Sequence, residues 1–152
     1  MEGFYVFGGK NEKGEPINSL QVLTYNQEKG ALTWEYPSVK GSPPSPRYQH
    51  TMNYFSETNC LIVYGGRGHS ISANSPLPAK HCYEDVFVLN LETLSWIFPK
   101  TGGDTNFKAR FAHACTIFAG QMLVFGGKSN EEYIETGISI LELSNDLQYS
   151  IF

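Results

Sequence analysis

The chain is poor in the features that bind metals, cross membranes or grip nucleic acid. It has three cysteines, Cys60, Cys82 and Cys115, odd in number and widely spaced, with no CxxC pair of the kind zinc ribbons use. Cys60 and Cys115 fall inside apolar runs, where a buried free thiol is expected, and free thiols fit a reducing, cytoplasmic compartment. No apolar run approaches the roughly 18 to 20 residues that a spanning helix needs. The start MEGFYVFGGK lacks the charged n-region and long apolar h-region of a signal peptide, so a soluble intracellular chain without a membrane partner is expected. Positive charge is scarce: 11 Lys and Arg stand against 15 Asp and Glu, a formal net charge of -4, which argues against a general nucleic-acid or anionic-membrane surface.

Catalytic signatures are missing as well. There is no GxSxG elbow, no HExxH and no carboxylate pair that recurs along the chain. The GGRG at 65–68 has the look of a phosphate cradle, but such loops need GxxxxGK[ST] spacing or a helix N-terminus straight after the glycines. HSISANSPLPAKHC follows instead, and its Pro76 and Pro78 forbid a regular helix. His69, His81 and Cys82 fall short of a tetrahedral ligand set. No catalytic residue, no cofactor and no metal site is therefore expected.

What is present is a repeat. FYVFGGK at 4–10, CLIVYGGRG at 60–68 and QMLVFGGKS at 121–129 place glycine pairs at Gly8-Gly9, Gly65-Gly66 and Gly126-Gly127, spaced 57 and 61 residues apart. Other features keep step. PRYQHTMNYF at 46–55 answers ARFAHACTIF at 109–118, so Arg47 and His50 match Arg110 and His113. Alternating segments follow each glycine pair (LQVLTY, VFVLNL, ISILEL), then segments centred on an aromatic (LTWEY, LSWIF, QYSIF), with Trp34, Trp96 and Tyr149 in corresponding places. Apolar residues alternate or run in short clusters rich in β-branched and aromatic types, punctuated by Gly, Pro, Asn and Ser, which is a strand pattern throughout. With 152 residues, and 2 Trp, 9 Tyr and 10 Phe to supply buried area, one all-β domain is expected. Four strands per unit at this period is the signature of propeller blades.

These residues resemble the kelch repeat family, whose blades join a Gly-Gly strand end to a spaced downstream Tyr or Trp. The fold expected is a partial kelch-type β-propeller of about three four-stranded antiparallel blades, the first lacking a strand, within a single domain 1–152 (blade 1, 1–40; blade 2, 41–103; blade 3, 104–152). The resemblance makes the repeated residues structural. The glycine pairs allow φ > 0 and close backbone approach, so a β-branched residue there should clash. Trp34 and Trp96 should pack between blades. Arg47, His50, Arg110 and His113 should be scaffold groups bonded to carbonyls of neighbouring turns.

Under three blades cannot close a ring that typically needs 4 to 8. Completion is expected from the rest of a longer chain, from self-association or from docking on another protein. The function implied is protein–protein interaction through the loops between strands, as a scaffold or substrate-recruiting part. The alternatives are a propeller fragment of a multidomain enzyme with its catalytic residues elsewhere, and a purely architectural component of a large complex. Of the connections at 10–19, 67–85 and 128–137, the middle one is longest and carries Arg67, His69, Lys80, His81 and Tyr83. It is expected to offer a basic, hydrogen-bonding surface to an acidic peptide or protein segment. The other two hold mixed or acidic charge, Lys10, Glu12, Lys13 and Glu15 in one and Lys128, Glu131, Glu132 and Glu135 in the other.

Overall fold

A computed structural model gives the architecture, and it describes residues 2–70, 79–100, 108–130 and 137–143. Those residues form strands and turns only, and no helix among them is long and apolar enough to cross a membrane. The strands are β1 (Phe4–Phe7), β2 (Leu20–Asn26), β3 (Ala31–Glu35), β4 (Thr51–Phe55), β5 (Cys60–Tyr64), β6 (Arg67–Ser70), β7 (Ala79–Cys82), β8 (Val86–Asn90), β9 (Ser95–Ile97), β10 (Ala114–Phe118), β11 (Gln121–Phe125) and β12 (Ile138–Glu142).

They assemble into three antiparallel blade sheets, β1-β2-β3, β4-β5-β8-β9 and β10-β11-β12, and a separate ribbon, β6-β7. The expected architecture of a partial kelch-type propeller is present. The last aromatic segment, 148–152 with Tyr149, lies outside the described residues. The registers align the repeats. Phe7 pairs with Leu20, Tyr64 with Val86 and Phe125 with Ile138, each just ahead of its glycine pair.

Two apolar layers hold the sheets together, and β5 supplies both. Cys60, Ile62 and Tyr64 enter one cluster with Val86, Val88, Ile97, Met122 and Val124, between the second and third sheets. Leu61 and Val63 enter the other with Phe7, Leu20, Leu89 and Trp96, between the first and second. A strand covered on both faces needs no polar alternation, and CLIVY is buried at every position. β11, QMLVF, has one covered face and alternates in burial.

One expectation needs correction. Trp96 packs between sheets at 6% exposure, its ring 5.0 Å from that of Phe7, but Trp34 is 50% exposed. Trp34 occupies the matching place in the first sheet, where no described residue provides a further sheet for its ring to pack against.

Candidate functional site

The end of the blades where the glycine pairs turn carries the repeated arginines and histidines, whereas Trp34 and Trp96 pair level with Phe4 and Leu61, toward the other end of their sheets. Arg47 is wholly buried at 0% exposure. Its Nη1 donates to Gly65 O at 3.0 Å and its Nε to Ser45 O at 3.0 Å, and its two terminal nitrogens clasp the Asp85 carboxylate, with Nη2 to Oδ2 at 2.9 Å. The guanidinium lies over the Tyr83 ring, 4.1 Å from its centroid. Arg110 repeats the arrangement with neutral acceptors: Nη1 donates to Gly126 O at 3.2 Å and Nη2 to Ser139 Oγ at 2.8 Å. Both arginines thus bind carbonyls, those of their own blade's glycine turn. The partnership with Asp85 was not read from the sequence, although Asp85 directly precedes the strand that pairs with the Gly-Gly strand.

The histidines bridge sheets. His113 Nε2 and Thr51 Oγ1 share a hydrogen bond at 2.9 Å, and the ring sits 5.0 Å from that of Tyr64. His50 stands 5.6 Å from Phe7, ring to ring, and bonds its backbone. Burial, followed by the charge of the neighbouring arginine, pushes both imidazoles down to about 4. They are neutral near pH 7, suited to packing rather than to proton transfer at that pH.

The glycine pairs receive the next blade. Gly9 N donates to Arg47 O and Gly66 N to Arg110 O, both at 2.8 Å. A Cβ on Gly8 would stand 2.6 Å from Arg47 O, and one on Gly65 2.6 Å from Arg110 O, at φ of +66° and +64°. Gly126, at φ +61°, has nothing within 4 Å of that position among the described residues. The expected clash therefore holds at Gly8, Gly65 and Gly66, where a Cβ would stand 2.7 Å from His50 Cβ, and among the described residues nothing stands within 4 Å of that position at Gly9 or Gly126.

The middle connection departs from a plain loop. Its two ends pair as β6 and β7, Arg67 with Cys82 and His69 with Lys80. The ribbon is fastened at its root, where Arg67 and Tyr48 exchange backbone hydrogen bonds at 2.9 Å in both directions. Gly68 is pressed so close to Pro46 O and the Tyr83 ring that a Cβ would overlap both. His69 and His81 are exposed, while Tyr83 is buried under Arg47. Tyr83 thus belongs to the scaffold side of the site. The Arg67 guanidinium is held 4.4 Å over the Phe111 ring, and its Nε is buried without a hydrogen-bond partner. The ribbon tip at 71–78, the Lys80 side chain, and Glu131, Glu132 and Glu135 lie outside the described residues.

Burial raises the Cys60, Cys82 and Cys115 thiols above their usual range, and the three are free cysteines. Raised thiols are poor nucleophiles at neutral pH. Among the described residues no group of three His, Cys, Asp or Glu could hold a metal ion.

Comparison with known proteins places this geometry. The profile of the KLHDC2/KLHL20/DRC7 Kelch-repeats domain matches residues 2–150. Dynein regulatory complex subunit 7 of Chlamydomonas reinhardtii is 32% identical over 123 residues, covering 80% of this chain and 9% of that protein. A probable serine/threonine-protein kinase of Dictyostelium discoideum is 33% identical over 128 residues, covering 82% of this chain and 8% of that protein. The chain therefore spans less than a tenth of either relative. The solved structure of YjhT superposes with a TM-score of 0.67 at 15% identity, covering 92% of this chain and 40% of that one. The match runs over nearly the whole chain, and the chain belongs to the KLHDC2/KLHL20/DRC7 Kelch-repeats domain family.

Proposed function

We propose that this chain is the scaffold of a protein-interaction module: a single kelch-like domain with blades at 1–40, 41–103 and 104–152, whose loop face binds an acidic peptide or protein segment. The observation that carries the reading is the β6-β7 ribbon, built from the one connection that is much longer than its counterparts. Its root is fastened by the Tyr48–Arg67 backbone exchange, and it holds His69 and His81 exposed. A ribbon on a rigid base presents side chains at little entropic cost on binding. Arg67, His69, Lys80 and His81 are the contact residues in this reading, with Tyr83 supporting them from below. The module is non-catalytic, needs no cofactor, and works in a reducing cytoplasm without nucleic-acid or membrane partners. The rest of a longer polypeptide completes its ring.

The test is fluorescence polarisation with acidic and basic peptide panels at two salt concentrations. Acidic peptides should bind more tightly, weaken with salt, and lose about tenfold in affinity to the double variant His69→Glu, Lys80→Glu. Arg67→Glu should lose more. Equal binding by wild type and double variant, or a preference for basic peptides, would refute the assignment.

A second reading follows from the Dictyostelium relative, named as a probable kinase, and from the dynein regulatory complex subunit. In it the propeller is one domain of a larger enzyme or a fixed part of an assembly. Fixed stoichiometry through purification, insensitive to the ribbon substitutions, would favour that reading over regulated peptide binding.

A further inference from the structure

A cation follows each glycine pair, Lys10, Arg67 and Lys128, and an aromatic residue follows each repeated arginine, Tyr48 and Phe111. Through the backbone these positions pair within a repeat: Arg67 exchanges both hydrogen bonds with Tyr48, and Lys128 with Phe111, all at 2.9 Å. Through the side chains they pair across the blades. Lys10 Nζ stands 4.2 Å from the centroid of the Tyr48 ring, and the Arg67 guanidinium 4.4 Å from that of Phe111. The Tyr48 ring, whose backbone Arg67 binds, is farther from that guanidinium, at 5.7 Å.

One hydrogen bond at each blade junction sets up this pairing. Gly9 N donates to Arg47 O and Gly66 N to Arg110 O, both at 2.8 Å, so the next residue on either side, a cation and a ring, meet. The two partners at the second junction are held very differently. Phe111 is 8% exposed, follows the seated Arg110, and is tied by its own backbone to Lys128. Arg67 is half-buried, and among the described residues its Nε is enclosed with no hydrogen-bond partner. A long side chain with no bonded anchor has rotamer freedom that a ligand must remove. A guanidinium over a sheltered aromatic face is attracted to it without losing its donors to other groups.

We infer that Phe111 is a positioning residue for Arg67, so that the site for an acidic segment is assembled by two blades. The second blade supplies the charge, and the third supplies the ring on which it rests. This deepens the reading that Arg67 contacts an acidic segment, and rests on it. The ring sets the guanidinium in place before the ligand arrives, which lowers the ordering cost of binding. Lys10 over Tyr48 is the same device one junction earlier.

The test uses fluorescein-labelled hexaglutamate as the probe, read by polarisation at low salt. Phe111→Met keeps an apolar filling and removes the ring face, and should weaken binding about three- to tenfold. Phe111→Tyr, which installs the residue type of the second repeat, should bind as the wild type does. In an Arg67→Ala background, Phe111→Met should change affinity by less than about twofold, whereas a ring that only supports the third sheet lowers affinity equally in both backgrounds. A second measurement needs no ligand. Exchange of the Arg67 Nε proton with water, followed by NMR, should be slow in the wild type and in Phe111→Tyr and fast in Phe111→Met. The wild-type rate alone keeps the inference falsifiable if Phe111→Met does not fold. Fast exchange in the wild type, equal losses in both backgrounds, or unchanged affinity in a folded Phe111→Met would each overturn it. The failures are separable. If Arg67→Ala binds hexaglutamate as tightly as the wild type, the acidic-segment reading falls and the positioning role with it. If Arg67→Ala weakens binding and Phe111→Met does not, the positioning role falls alone.

Discussion

The middle sheet and its two neighbours are built from the same repeat, yet they are folded to different depths. In the middle sheet the Gly-Gly strand is buried at every position, Arg47 is paired with a carboxylate, and Trp96 is inside. In the first sheet Trp34, Phe4 and Leu32 are exposed, and in the third Phe118, Ile138 and Ile140 are. The difference lies less in sequence than in company, since a blade acquires its core from the sheets on either side. A repeat protein's stability is largely a sum of such neighbour terms, so the same substitution should have unequal effects in different blades.

The largest inequality is expected at the tryptophans. Trp96→Ala opens a cavity against Phe7 and Leu89 and should cost about 3 to 5 kcal/mol. Trp34→Ala removes a ring that is already half in water and should cost less than about 1 kcal/mol. Urea denaturation of both variants gives the comparison, and similar losses would mean that Trp34 is covered in solution by something outside the described residues.

The arginines come next. Removing Arg47 strands a carboxylate at Asp85 and a carbonyl at Gly65, for which a loss of about 3 kcal/mol is expected. Arg110→Ala leaves neutral acceptors alone, the Lys108 and Gly126 carbonyls and the Ser139 hydroxyl among them, and should cost about 1 to 2 kcal/mol. The double variant Arg47→Ala, Asp85→Ala should recover part of the first loss, because it leaves no unpaired charge. If Arg47→Ala and Arg110→Ala cost the same, the Asp85 pair contributes no net stability.

Much of this was legible in the chain and some was not, for reasons that particular residues make plain. The glycine pairs, the strand pattern and the spaced tryptophans are local signals repeated at a fixed interval, so they identified the fold. Burial is not local. Nothing in LTWEY and LSWIF says that one tryptophan faces a neighbouring blade and the other does not. Asp85 escaped notice as the partner of Arg47 because the third repeat has Gly137 in its place and uses Ser139 instead. A polar run with two prolines reads as a loop, and it hid the β6-β7 pairing. The ribbon's fastening depends on Tyr48, 19 residues before Arg67 and inside another motif. Gln49 and Ala112 take φ of +57° and +54°, a conformation that neither residue type announces.

The glycines offer a smaller but cleaner contrast, because two positions share a conformation and differ in surroundings. Gly65→Ala adds a methyl 2.6 Å from Arg110 O and 2.9 Å from His113 Cε1, at φ +64°. Left-handed strain of about 1 to 2 kcal/mol and displacement of a packed backbone together should cost about 2 to 4 kcal/mol. Gly126→Ala meets the strain without the overlap, at φ +61°, and about 1 kcal/mol is expected. Thermal unfolding of the two variants measures the difference, which is the contribution of a docked third blade felt at one atom.

The mildest effect is one of pH, and it also separates the blades. His50 and His113 have folded values near 4 against an ordinary 6.5, so the folded state prefers the neutral ring. Their contribution is fully present above about pH 6.5 and is lost as the pH falls from there through 4, since the unfolded chain takes up protons that the folded chain refuses. Each should cost on the order of 1 to 2 kcal/mol by pH 4, the lower end allowing for partial solvent screening. His50 faces Arg47 and the first sheet, while His113 faces Arg110, Thr51 and Tyr64 in the second. The His50 charge also disfavours protonation of His113, so His50→Gln should flatten the acid limb of the stability curve by its own share and a small part of His113's, and His113→Gln by the rest. Denaturant midpoints between pH 4 and 7 for the wild type and both variants test this. An unchanged slope in either variant would mean that its imidazole is hydrated in the folded protein, and that the interface it bridges admits water.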